Sequence, residues 1–296
     1  MEILNILFVL LLFMTFRKRE KGDAFSLQSM NVLKGIAIAG VFIGHTSKEF
    51  LGIFLYKFLC YIGLWSVAIF FFVSGYGLMY MASRKPDYRK GYLKRRLLPI
   101  WICYLIVCMI QMAIDGEVET GAIQRILLCD YIPFSWYIFS ITWLYLFFYV
   151  TLIFISPIQH KKLFICCLLV LLIVYMLVCQ WMTGGIKGGD QMLSFIVGCI
   201  VASSETIRNK CLQRKSLIII TAVFLILYSI QLTNKYVHYP HVLVYLYEPI
   251  VSCIFTFIAL GIVGRRHSSP PPVGKDVGIL TTSFVTDIFN SWHIAI

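Results

Sequence analysis

Two ionisable residues bracket an apolar run near the start of the chain, KGIAIAGVFIGH, from Lys34 to His45. On an α-helix at about 100° and 1.5 Å per residue, their spacing returns the two side chains to within about 20° of one another, about 16 Å apart along the axis. Inside a bilayer each such group costs roughly 2.5–3.5 kcal/mol on insertion scales, so it is normally set against a cavity or an opposing group. Histidine is the side chain best suited to take a proton from a hydroxyl near neutral pH. The spacing therefore describes a polar column, with a cation at one end and a possible general base at the other. Two plainer readings stand beside it: Lys34 snorkels to one interface and His45 sits at the other.

Other residues of chemical interest fall on neighbouring apolar runs. Ser74 and Gly75 lie in FFFVSGYGL, where the GxSxG elbow of a serine nucleophile is absent, and small residues there suit close helix packing. The loop RKPDYRKGYLKRRLLPIW carries seven cations, and Arg95 and Arg96 stand at the mouth of a span with Pro99 in its first turn. Such a cluster fits either anionic lipid headgroups or the phosphates of a nucleotide-bearing donor. Trp136 opens an aromatic-rich span, for which interfacial anchoring suffices. Glu248, before Pro249, lies a short way into the last apolar run, at the interface or paired with a cation. His238 and His241 flank Tyr239-Pro240 in a loop and are not read as a metal site. No metal and no bound cofactor is expected.

These residues need helices to place them, and the composition says what kind. Of the 296 residues 59% are hydrophobic and 14% charged, against about 25% charged in soluble domains. Tyr61–Ala82, Leu97–Ile114, Trp136–Ile155, Leu163–Trp181, Leu217–Leu232 and Val242–Val263 approach or reach the ~20 residues that cross a bilayer. Met30–Thr46 and Gln191–Ala202 are shorter, and residues 3–16 form a further apolar segment followed, not preceded, by RKRE, which argues against a cleaved signal. The expected fold is all-α, a polytopic transmembrane helix bundle of about nine membrane segments. Of the 26 basic residues, 20 fall in loops 17–23, 84–96, 160–162, 204–215 and 264–275, at alternate ends of the runs. That bias makes those loops cytoplasmic and accounts for the net charge of +12 without nucleic acid. The ten cysteines show no CxxC spacing and read as reduced packing residues. Three regions follow: 1–27, a short membrane helix and basic loop; 28–264, the helical domain; and 265–296, a proline-interrupted tail expected to be disordered.

Taken together the motifs resemble membrane acyltransferase family 3, the integral-membrane enzymes that acylate sugars and other surface molecules. Lys34-Gly35 leading to Gly44-His45-Thr46 is similar to the family's Arg/Lys–ten residues–His pattern. Phe71-Phe72-Val73-Ser74-Gly75 resembles its Phe-Phe-x-x-Ser-Gly signature, Arg96-Leu97-Leu98-Pro99 its basic-then-Pro helix start, and Trp136-Tyr137 an aromatic start further on. Order and spacing agree over about residues 28–157. The resemblance implies a plasma-membrane, bacterial-type O-acyltransferase that moves an acyl group, commonly acetyl, from acyl-CoA to a hydroxyl of an extracytoplasmic polysaccharide or glycolipid. It implies His45 as general base, Lys34 and Arg95–Arg96 at the donor end, and Ser74, Gly75, Trp136 and Glu248 as substrate-contacting positions. Its expected partners are membrane lipids, acyl-CoA and the glycan acceptor.

The sequence departs from the family's pattern in two places. Leu93 stands where a second arginine is common. The closing span usual in the family, with an Ile-Tyr-Leu run leading to His, has no counterpart, and the tail from about residue 265 stands there instead. The final helix is therefore expected to be missing. Two alternatives follow from the same features: a transporter of a polar lipid or glycan, which would also use a polar column, and a catalytically inactive, truncated relative.

Overall fold

A computed structural model describes residues 25–50, 61–116, 121–132, 135–183, 189–234 and 241–265. Among these residues every regular element is helical: α1 (Leu27–Phe50), α2 (Ile62–Ala82), a 3₁₀ turn (Pro86–Arg89), α3 (Tyr92–Asp115), α4 (Ala122–Leu127), α5 (Trp136–Phe154), α6 (Lys161–Thr183), α7 (Gly189–Ser203), α8 (Glu205–Cys211), α9 (Arg214–Asn234) and α10 (His241–Arg265). Membrane helices satisfy their backbone internally, which is why apolar runs in lipid take this form. The ends are set by local chemistry. Ser26 caps α1 by accepting the Ser29 N–H at 3.2 Å, and Ser204 caps α8 through the Ile207 N–H. Gly91 and Gly116 take left-handed backbone angles on either side of α3, a conformation open to glycine at little cost.

Among the described residues five helices are long and apolar enough to cross a membrane: Leu27–Thr46, Ile62–Ala82, Pro86–Asp115, Trp136–Phe154 and Lys161–Cys179. A sixth crossing is available if α8 and α9, bent by 66°, form one span, and Gln191–Ser203 and Tyr247–Val263 are shorter apolar helices. The eight apolar runs from Met30 onward thus all become helices, of which five or six are long enough to cross among the described residues; residues 3–16, the ninth expected segment, and the tail beyond 265 lie outside the described residues. One boundary differs from expectation. The third long helix begins at Tyr92, five residues before Leu97, so Pro99 sits inside α3 and not in its first turn. There its ring removes the N–H that would reach the Arg95 carbonyl.

The chain divides into two compact units, the first holding residues up to Gly77 together with Leu193–Gly274, the second holding Leu78–Met192. In the first unit α2 is the inner helix. Trp65, Ala68, Ile69, Phe71, Phe72 and Tyr76 are buried along it, and Trp65 meets Phe224 and Tyr228 of α9 and Phe255 of α10 at centroid distances of 5.1–5.2 Å. The backbones also come close at glycines. A Cβ on Gly44 would lie 2.7 Å from the Cα of Gly63, and one on Gly40 would overlap the Ser66 hydroxyl, so α1 crosses α2 through small residues. On α7, a Cβ on Gly198 would meet the Phe72 carbonyl at 2.2 Å, and one on Gly75 of α2 the Phe195 carbonyl at 2.1 Å. Helix α10 packs against both α9 and α1. In the second unit α5 packs on α3 and α6, with Tyr92 stacked on Phe148 and Tyr149 at 5.9 and 5.6 Å.

Gly75→Ala is expected to destabilise the purified protein by about 1–3 kcal/mol, the usual cost of overpacking. Gly77→Ala, two residues on with nothing within 4 Å of its Cβ, is expected to leave the thermal midpoint in detergent unchanged. Equal midpoints for the two variants would remove the contact from the account.

Candidate functional site

Lys34 and His45 lie on one uninterrupted helix, α1, so the spacing that places them on one side holds in the structure. Lys34 is half-buried and His45 exposed. Between them on that side Ile38 and Phe42 are 45% and 48% exposed, whereas Leu33, Ala37 and Gly40 on the other side are buried. The column therefore occupies the open side of α1, with the cation partly sheltered and the imidazole accessible. The side opposite is the one Gly40 and Gly44 press onto α2, and that crossing lies one residue from His45. Two residues beyond Gly44, Thr46 donates its hydroxyl proton to the Phe42 carbonyl at 2.9 Å.

Ser74 is half-buried on α2, and Gly75 is buried. Gly75 is taken up by packing: its Cα faces the Phe195 backbone, and its carbonyl accepts the Cys199 thiol at 3.3 Å. This matches the close helix approach read from the sequence. Two residues that sequence reasoning passed over complete the region. Tyr76 is stacked on Phe25 at 5.2 Å, and its hydroxyl accepts a hydrogen bond from Arg208 at 3.3 Å, from 132 residues away. Nothing local in the sequence signals that pairing. The GxxxG spacing of Gly40 and Gly44 is the signal that would have revealed the α1–α2 crossing.

Glu248 is half-buried on α10. One and two turns further along the same side come Ser252 and Thr256, both fully buried, with the Thr256 hydroxyl donating to the Ser252 carbonyl at 3.0 Å. This polar side of α10 belongs to the same unit as His45, Lys34 and Ser74. His238 lies outside the described residues, and among those described no three His, Cys, Asp or Glu side chains gather as metal ligands. The described cysteines are all thiols, and Cys108, Cys129 and Cys199 are buried.

Arg95, Arg96 and Trp136 belong to the second unit. Arg95 donates to the Lys90 carbonyl at 2.6 Å and the Tyr88 carbonyl at 3.0 Å. Arg96 donates to the Tyr88 hydroxyl at 3.0 Å, and Tyr88 is itself buried edge-on to Tyr92 at 5.9 Å. Both guanidinium groups thus fasten the 3₁₀ turn onto the start of α3. Trp136 is half-buried at the first position of α5. The turn before it is tied by Ser135, whose hydroxyl lies 2.5 Å from the Cys129 carbonyl and 2.7 Å from that of Ile132.

Among known protein families, the one described as an acyltransferase domain matches residues 27–274. No curated protein and no solved structure matches the chain.

Arg95→Gln removes two hydrogen bonds from a charged donor to the 86–91 turn. Given its exposed setting, it is expected to cost about 1 kcal/mol. Amide exchange in residues 86–91 would then speed up roughly fivefold, with α5 unchanged; unaltered exchange would show that the arginine does not hold the turn.

Proposed function

The chain belongs to the acyltransferase 3 family, whose model spans residues 27–274, and on that premise we propose that it transfers an acyl group, commonly acetyl, from acyl-CoA to a hydroxyl of an extracytoplasmic glycan or glycolipid. The observation that carries this reading is the arrangement of Lys34 and His45 on the open side of one continuous helix, cation sheltered and imidazole accessible.

An acceptor hydroxyl arriving at the outer end of α1 meets His45 without having to enter a packed core. In the proposed step the imidazole takes the hydroxyl proton while the oxygen attacks the thioester carbonyl. The C–S bond of the donor breaks, the new ester C–O bond remains on the glycan, and the proton held by His45 returns to the departing thiolate. The sulfur leaves as the thiol and the imidazole is neutral again. Lys34 lies about 16 Å away along the helix, too far to touch the same atoms. Its ammonium suits the phosphates of the donor or the charge of the departing portion. Ser74, on the neighbouring α2, is a lining hydroxyl in this scheme and not a nucleophile. The aromatic and glycine contacts around α2 fix the helix that carries it, which is what positioning a reacting centre requires.

A transporter would use a polar column to conduct its substrate between helices. In the first unit the rings of Trp65, Phe72, Phe224 and Phe255 pack about α2, and Lys34 and His45 share the side of α1 on which Ile38 and Phe42 are exposed. That placement favours transfer at the exposed side of α1 over conduction past α2.

His45→Ala is expected to lower acyl transfer by about 10²–10⁴-fold, the usual contribution of a general base, with membrane insertion and thermal midpoint unchanged. Labelled acetyl-CoA, purified protein in lipid and a glycan acceptor provide the assay. A normally inserted His45→Ala protein that still acylates at the parent rate would overturn the assignment.

A further inference from the structure

We infer that the second unit binds an anionic phospholipid, in a cavity walled by the 3₁₀ turn Pro86–Arg89 and the α5–α6 connection. The cavity holds about 550 Å³ and is bounded by residues 82–90 on one side and 152–163 on the other. Two basic loops that the charge bias assigns to the cytoplasmic face thus share one recess. Its walls divide by chemistry. Lys85, Arg89, Lys90 and His160 supply cationic or protonatable groups, while Ile153, Phe154 and Leu163 supply an apolar flank.

The charges are unbalanced from within. Asp87, a carboxylate on the wall, is paired with Lys90 at 3.0 Å, which leaves the charges of Lys85 and Arg89 uncompensated by it. The first turn of α6 adds Lys161 and Lys162 and contains no acidic residue, although a helix N-terminus, with its positive dipole end, favours anions. Cations crowded where anions are preferred call for a negative group from outside. The other arginines of this loop do not line the recess: Arg84 is engaged with Tyr80, and Arg95 and Arg96 with Tyr88 and the turn backbone.

The apolar flank decides what kind of anion. Phe154 is 80% exposed and Leu163 54%, at the end of one membrane helix and the start of the next. A soluble phosphate would leave that flank wet, whereas a phospholipid lays its first acyl carbons along it with the phosphate at Lys85 and Arg89. Basic pockets between transmembrane helices on the cytoplasmic side hold lipid headgroups on this principle. A long-chain acyl-CoA shares the same two features, so the test must separate the two.

The experiment is a titration of the purified full-length protein in neutral detergent with dioleoylphosphatidylglycerol, bound lipid being read by native mass spectrometry. Phosphatidylglycerol is expected to be retained at least tenfold more tightly than phosphatidylcholine. Lys85→Gln/Arg89→Gln is expected to abolish that preference and the Arg89→Lys single variant to keep most of it. Lys210→Gln, which removes an exposed cation in the other unit, is expected to have no effect. All these side chains are exposed, and each variant is checked by its elution profile before titration. Equal retention of the two lipids, or an undiminished preference in the double variant, would overturn the site. Displacement of phosphatidylglycerol by millimolar glycerol 3-phosphate would reduce it to a phosphate site without a lipid. Displacement by stoichiometric palmitoyl-CoA would reassign it to the donor.

Discussion

In lipid there is no hydrophobic force to press one apolar helix onto another, so helices hold together by how closely their backbones fit. The first unit depends on that fit at two places on α2. Near one end Gly63 and Ser66 receive Gly44 and Gly40 of α1; near the other Gly75 and Phe72 receive Phe195 and Gly198 of α7. A single methyl group at Gly40, Gly44, Gly75 or Gly198 would collide with a neighbouring backbone or hydroxyl. The first contact lies one residue from His45 and the second one residue from Ser74. The family's two motif regions are thus held by the same helix, through contacts that tolerate no side chain.

Ring packing then closes the space the glycines leave. Trp65 takes three aromatic neighbours from α9 and α10, and Phe72 meets Tyr76 on its own helix and Phe257 on α10. Edge-on aromatic pairs of this kind add about 0.5–1.5 kcal/mol beyond the area they cover. The second unit uses the same device around Tyr92, between Tyr88 and the rings of Phe148 and Tyr149. There it meets the charged surface: Arg96 reaches the Tyr88 hydroxyl from α3, so a cation at the edge of the membrane is anchored to an aromatic stack within it.

Helix existence was legible in the sequence because long apolar runs permit little else in lipid. The register of Lys34 and His45 was legible because α1 runs without a break. Helix pairing was not. Helix α2 is apolar on every side, so no stripe marks which neighbour it faces, and only the glycines carry that information. The division of labour within the basic loop was not legible, for a related reason. Seven cations in a row of loop positions look like one surface, yet arginine has five N–H groups and can satisfy local carbonyls as readily as a ligand. Arg95 and Arg96 do so, while Lys85 and Arg89 open into a cavity. Trp136 sits at a helix start and Gly75 in a helix crossing, the packing roles that the sequence itself offered beside the substrate contacts the family resemblance implies. The start of α3 was misplaced because a proline reads as a first-turn residue, and here the helix accommodates it in the interior.

The separation of half-buried Lys34 from exposed His45 bears on how the proposed transfer could work across a membrane. In the proposed reaction a donor held on one side and an acceptor held on the other would have to meet without opening a water path, since a leak would expose the thioester to hydrolysis. Grouping Lys34 and His45 inside the bundle would require a polar cavity there to satisfy them. Placing them on the open side of α1, one at each end, keeps the glycine-packed core dry. It leaves only a narrow stripe, Lys34, Ile38, Phe42 and His45, to be wetted or covered as substrates arrive. Ile38 and Phe42, 45% and 48% exposed between the two polar residues, keep that stripe apolar along its middle.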